Sequence, residues 1–214
     1  MIDASGTWTR PNPLGADGTP ALGERAPAHR IYYGIPDVLG AQRARYAGRR
    51  VLVIGSGHSA FNALQDLAQP AREAHGTAIS WVVRCPTLDQ IFVGEADDAL
   101  AARGELGRRI HELVDAGILR VATGVKIAAL HGTADGVVVA GAHSALGPID
   151  EIIAATGLRP DLSLASELRL SLVPAAGSPA ALAPLIDPNL QRGRRRGDAR
   201  SCSTCWCPVG SGRP

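Results

Sequence analysis

The segment Val51-Leu52-Val53-Ile54-Gly55-Ser56-Gly57-His58-Ser59-Ala60 constrains this chain more than any other stretch. Four consecutive apolar, mostly β-branched residues read as a buried strand, and the glycines after them carry the backbone through a tight turn into a helix. Gly55 permits the turn. Gly57 has no side chain, so a phosphate can approach its backbone, and Ala60 is small enough for helix and strand to pack closely. A helix opening at His58 presents free amides and the positive end of its dipole, roughly 0.3–1 kcal/mol toward an anion, and Ser59 can add a hydroxyl contact. Gly55, Ser56, Gly57, His58, Ser59 and Ala60 are therefore the candidate cradle for a dinucleotide pyrophosphate. A strand-to-helix turn with no ligand would look the same locally, and that alternative stays open at this point.

The next strand ends in Trp81-Val82-Val83-Arg84. An Asp or Glu there would accept from the ribose 2′-hydroxyl of NAD, whereas Arg84 can hold a 2′-phosphate through two charge-assisted contacts. NADPH is accordingly the expected cofactor. Cys85 beside it reads as a small packing residue, because the body of the chain has no second cysteine to pair with.

From residue 49 to residue 160, short β-branched runs alternate with helix-like stretches, the pattern of an α/β unit with a parallel sheet. Strands are expected over residues 50–54, 78–83 and 151–155. Helices are expected over residues 58–74, with Pro70 kinking or ending the first early, and over residues 97–116. The second would place Leu100, Leu106, Ile110, Leu113 and Val114 on one face, with Gly117 as its cap. Three further strands, at residues 119–122, 125–130 and 136–140, read as a small antiparallel meander. Before Arg49, Pro and Gly at 11, 13, 15, 18, 20, 23 and 27 read as a long connecting loop.

Charge and cysteine divide unevenly along the chain. The last 24 residues hold six arginines against Asp198 alone, so of 22 basic and 20 acidic residues the body keeps 16 and 19. A body that is not basic offers little to nucleic acid or to an acidic membrane. No apolar run approaches the ~18 residues a membrane span needs, and the start lacks the pattern of a secretory signal. With three of the four cysteines in the tail, a reducing, cytoplasmic setting is expected. The tail itself follows no period of 2 or 3.6. Read with the arginine- and alanine-rich body, it has the composition a G+C-rich gene yields in a shifted frame after about residue 190. Cys202, Cys205 and Cys207 could share a zinc ion, but a structural site wants four ligands and no histidine follows, so no metal is assigned.

On these motifs the chain resembles the two-dinucleotide-domain flavoproteins, which include thioredoxin reductases, flavin-containing monooxygenases and Baeyer–Villiger monooxygenases. In that family an NADPH domain is inserted into an FAD domain, and both crossings pass through a strand ending in a small residue, a hydroxyl and a glycine. Asp3-Ala4-Ser5-Gly6-Thr7-Trp8 resembles the outward crossing, and Ile152-Ile153-Ala154-Ala155-Thr156-Gly157-Leu158-Arg159-Pro160-Asp161 the return. The resemblance adds Thr156 and Gly157 to the cofactor-binding set. It implies a Rossmann-like three-layer ββα domain over residues 48–150, a remnant of the FAD domain plus linker over 1–47, a return segment over 151–190 and an atypical tail over 191–214.

The departures from the family are informative. The upstream FAD fingerprint is missing, so the expectation is an NADPH domain with FAD-domain stubs, and FAD is implied only through the family. Relatives of full length would pass a hydride from NADPH to FAD. Residues 31–45 contain no cysteine, unlike the stretch that carries the redox pair in thioredoxin reductases. Tyr32-Tyr33-Gly34 supplies the aromatic-x-Gly of the monooxygenase motif, but Val38 stands where its histidine belongs. A monooxygenase-like oxidoreductase is the main expectation. A fragment that binds without turnover and a disulfide-oxidoreductase-like reductase are the alternatives. No catalytic residue is assigned, the substrate is an unspecified small molecule, and a homo-oligomer is compatible with the sequence.

Overall fold

The structure, a computed structural model, describes residues 9–88, 91, 101–173 and 177–186, with only the backbone described at 101–104. The expected outward crossing at residues 3–8, the tail at 191–214 and the start of the second helix lie outside the described residues. A five-stranded parallel sheet forms the middle layer. Its strands are β1 (Ile31–Tyr33), β2 (Arg50–Ile54), β3 (Ala78–Val82), β4 (Leu119–Ala122) and β8 (Glu151–Ala154), in the spatial order β1-β8-β2-β3-β4. Helices α2 (His58–Glu73) and α3 (Ala101–Asp115) connect β2 to β3 and β3 to β4. An antiparallel sheet of β5 (Ile127–Thr133), β6 (Gly136–Gly141) and β7 (Ala145–Ile149) forms the remaining layer, and a short helix α1 (Arg43–Tyr46) precedes β2.

The layering follows from the pleat. Along β2, Val51 and Val53 join the core against Phe61, Leu64 and Leu67 of α2, while Leu52 and Ile54 join the core against Val137 and Val139 of β6. Successive side chains leave a strand on opposite sides, so a strand apolar at every position must be covered on both faces. Four of the five β2 residues are buried. Each such aliphatic side chain contributes about 1.5–3 kcal/mol when fully buried. The fold is a Rossmann-like three-layer α/β arrangement, as the sequence leads one to expect.

Several boundaries differ from expectation. Residues 119–122 do not open the meander but form the edge of the parallel sheet, with Leu119 opposite Ile79 and Val121 opposite Trp81. The crossover helix α3 delivers them there, and the meander takes β7 as its third strand instead. The supposed connecting loop before Arg49 contains β1, which pairs in parallel with β8 through Ile31 and Ile152. Pro70 does not end α2 early: its ring is buried, the helix continues to Glu73, and the Ala74 N–H closes the end on the Pro70 carbonyl at 2.8 Å. Pro70 forfeits the N–H that would donate to the Asp66 carbonyl, but it stands in the last turn, so only three helical residues follow the gap. Gly117 caps α3 as expected. At φ +69° it adopts the left-handed conformation, and the Gly117 and Ile118 amides donate to Val114 and Leu113.

Candidate nucleotide-binding site

The strand order places the site. From β2 the chain moves one way to β3 and β4, whereas β8 and β1 lie on the other side, so the order reverses between β2 and β8. In open α/β sheets the crevice beyond the carboxyl ends of strands at such a reversal is where ligands sit. Ile54 is level with Ala154 across this boundary. Gly55-Ser56-Gly57 and Ala155-Thr156-Gly157 therefore leave the sheet side by side.

The two glycines of the turn meet different demands. Gly55 has φ +130°, and a Cβ there would fall 2.2 Å from the Ala155 carbonyl oxygen. Its missing side chain is required by the neighbouring strand, with or without a ligand. Gly57 has an ordinary extended backbone, φ −93° and ψ 177°, and a Cβ there would meet no protein atom within 4 Å. No packing within the described residues requires glycine at this position. Open space over an exposed backbone at a helix start is what a ligand cradle needs.

The first turn of α2 adds donors. Gly57 is its N-cap and makes no side-chain capping bond. The Ala60 and Phe61 amides donate to the Gly57 carbonyl, at 2.9 and 3.2 Å, while those of His58 and Ser59 donate to no acceptor among the described residues. His58 is exposed, Ser59 half-buried and Ala60 fully buried. Ala60 thus lies where a larger side chain would push the helix off the sheet. A helix N-terminus with unsatisfied amides favours an anion.

Arg84 stands two residues beyond Val82, the register partner of Ile54, at the rim of the same crevice. Its guanidinium is exposed and donates to the Ala16 carbonyl at 3.1 Å. Thr156 and Gly157 are tied to the segment before β1. The Thr156 hydroxyl donates to the Asn12 carbonyl at 2.7 Å, the Asn12 side-chain amide donates to the Thr156 carbonyl at 3.1 Å, and the Asn12 backbone amide donates to the Gly157 carbonyl at 2.9 Å. Arg159 reaches back to the Asn12 Oδ1 at 2.7 Å, and Pro11 bridges Leu158 in antiparallel fashion.

One expectation changes here. Cys85 is buried as anticipated but is disulfide-bonded rather than a free packing thiol. Val38, at the place of the monooxygenase histidine, is fully buried in the helix-side core.

Sequence reasoning also missed two supports of the site. The Trp81 indole N–H donates to the Gly55 carbonyl at 2.7 Å from within the core, with the Phe61 ring edge-on at 5.8 Å. A strand tryptophan gives no sequence signal of such a role. Glu24, 5% exposed, accepts from the Leu14 and Ala21 amides, the latter at 2.6 Å, and from the Tyr33 hydroxyl at 2.5 Å. Burial, reinforced by Glu24, holds the Tyr33 hydroxyl well above its usual pKa. This anchors the Pro-rich segment over β1, where Pro11, Pro13, Pro20, Glu24 and Tyr33 line a cavity of about 250 Å³ away from the glycine turn.

No protein-family model matches the chain, and no curated protein matches it. Solved structures do. The bacillithiol disulfide reductase Bdr (YpdA) from Bacillus cereus superposes with a TM-score of 0.56 at 18% identity, covering 81% of this chain and 45% of that one. The water-forming NADH oxidase from Lactobacillus brevis, bound to NADH, gives 0.51 at 16% identity, covering 79% and 33%. A copper(II) complex of a variant of the HOCl-induced flavoprotein disulfide reductase RclA from Escherichia coli gives 0.51 at 16% identity, covering 75% and 32%. The chain thus spans less than half the length of these proteins, and at such identities the likeness is one of architecture: this chain has the Rossmann-like fold found within pyridine-nucleotide oxidases and flavoprotein disulfide reductases.

Proposed function

We propose that this chain is the NADPH-binding unit of a flavin-dependent pyridine-nucleotide oxidoreductase. The observation that carries the reading is the contrast between the two turn glycines. Gly55 is demanded by Ala155, whereas Gly57 is demanded by nothing among the described residues and lies open before the His58 and Ser59 amides, which donate to no acceptor among them. The residues present fit a pyrophosphate there, with Arg84 at the rim for a 2′-phosphate.

NADPH, when bound, supplies a hydride, and where FAD is bound beside it the flavin receives it. This chain's own residues bind and orient. The His58 and Ser59 amides donate to the diphosphate, Ala60 keeps α2 close enough for them to reach it, and Arg84 exchanges its Ala16 carbonyl for the 2′-phosphate. Thr156 and Gly157 form the opposite wall, fixed by Asn12. The sequence supplies one glycine fingerprint, already assigned to NADPH, so FAD is assigned to no residue of this chain.

Among finer readings, the two disulfide reductases named above favour a disulfide-oxidoreductase-like protein. Residues 31–45, however, contain no cysteine. Calorimetric titration with NADPH and with NADH tests the proposal. Binding of both, with NADPH tighter, is the expected result, and binding of neither refutes it.

A further inference from the structure

The buried indole of Trp81 does more than fill the core. A buried Trp N–H ordinarily finds a partner, and strand ladders satisfy most carbonyls nearby. Here the partner is the carbonyl of the first turn glycine. Val53 is the register partner of Trp81, and both lie on the helix side of the sheet. From that side the indole reaches past the end of β2 to Gly55. The Gly55 N–H is used as well, donating to the Val82 carbonyl of the same strand β3 at 3.2 Å.

The consequence follows from peptide geometry. In a planar trans peptide the carbonyl and the next residue's N–H point in opposite directions. Trp81 is fully buried, so the Gly55 carbonyl it receives is turned toward the core. The Ser56 N–H of the same peptide is thereby turned outward, toward the crevice, and it donates to no acceptor among the described residues. We propose that Trp81 is a positioning residue of the dinucleotide turn, drawing the Gly55 carbonyl inward so that the Ser56 amide is presented to the cofactor's pyrophosphate. This rests on the NADPH reading above and adds to it a donor and the group that orients it.

The test compares the unaltered chain with two replacements. Trp81→Phe keeps an aromatic ring against Phe61 and removes the donor. A benzothiophene isostere at position 81 keeps both fused rings and lacks only the N–H. Affinities are measured for NADPH and for adenosine 2′-monophosphate, which carries the 2′-phosphate but no pyrophosphate. Both replacements are expected to weaken NADPH about tenfold, the scale of one hydrogen bond to a charged group, and to leave adenosine 2′-monophosphate unchanged.

Equal weakening of both ligands would assign Trp81 a merely structural role, and unchanged NADPH affinity in the isostere would also overturn the proposal, each leaving the NADPH reading intact. Failure of the unaltered chain to bind NADPH would overturn both. Should neither replacement fold, nuclear magnetic resonance on the unaltered chain decides. The Trp81 indole proton is expected to resist solvent exchange while the Ser56 amide resonance moves on NADPH addition; an indole proton exchanging at the solvent rate, or an unmoved Ser56 amide, refutes the idea.

Discussion

The Gly55 Cα faces the Ala155 carbonyl so closely that a single methyl group would stand 2.2 Å from the oxygen. Two strands that are far apart in the chain thus share one tight seam at the floor of the candidate site. Gly55→Ala should cost about 3 kcal/mol, from the clash together with a φ that L-residues avoid. Gly57→Ala should cost at most about 1 kcal/mol, the scale of a changed N-cap. Chemical denaturation of the two variants checks the contrast, and comparable losses would show that Gly57 is structurally required after all.

Arg84→Ala should weaken NADPH roughly 10- to 100-fold, as loss of a charge-assisted contact implies, and alter NADH by less than about threefold. Paired calorimetric titrations decide it. Equal losses would remove Arg84 from the 2′-phosphate.

Glu24 satisfies two backbone amides and the Tyr33 hydroxyl in a buried setting, so Glu24→Ala should destabilise the protein by about 2–4 kcal/mol. Tyr33→Phe, which removes one of the three donors, should cost about 1 kcal/mol. Folding raises the Tyr33 pKa. Stability from this group is therefore full below the unfolded-state pKa of about 10 and declines as pH rises beyond it. Thermal melts between pH 8 and 11 should show that decline in the unaltered protein and a shallower one in Tyr33→Phe.

Asp150 joins the start of β8 to the start of β2. It accepts from the Arg50 backbone amide at 2.8 Å and from the guanidinium at 3.0 and 2.6 Å, and these contacts lower its pKa to about 2. Because the folded-state value lies below the unfolded value of about 3.9, the pair's contribution is present above pH 4 and lost as pH falls toward 2. The pair is partly solvent-screened, so Asp150→Asn should cost only about 1 kcal/mol at pH 7. Its acid unfolding curve should be flatter than that of the unaltered protein, which denaturation at pH 3 and pH 7 would reveal.

How far the sequence led depended on whether a residue's constraint was local. The β2 strand, its glycine turn, α2 and the Gly117 cap were legible because apolar runs, helical spacing and glycine act within a few residues of themselves. β1 was not: three residues in a Pro-rich stretch become a strand only because β8, about 120 residues later, offers them an edge. β7 contains Gly147 and Pro148, residue types that break the pattern of a strand; at the edge of the meander a proline without an N–H disrupts little.

The site divides in the same way. The turn residues were readable in place, and the sheet topology puts Arg84 and Thr156 at the same crevice. The Trp81 bond to Gly55 and the Asn12 clasp on Thr156 depend on which strands become neighbours, which no local pattern encodes.

The most direct test of the nucleotide reading is a proton–nitrogen correlation spectrum of the labelled chain during NADPH addition. Saturable shifts centred on the amides of Ser56, Gly57, His58 and Ser59, abolished in Gly57→Ala while that variant keeps its folded spectrum, are the predicted result. Unmoved turn amides at saturating NADPH, or identical shifts in Gly57→Ala, would contradict it.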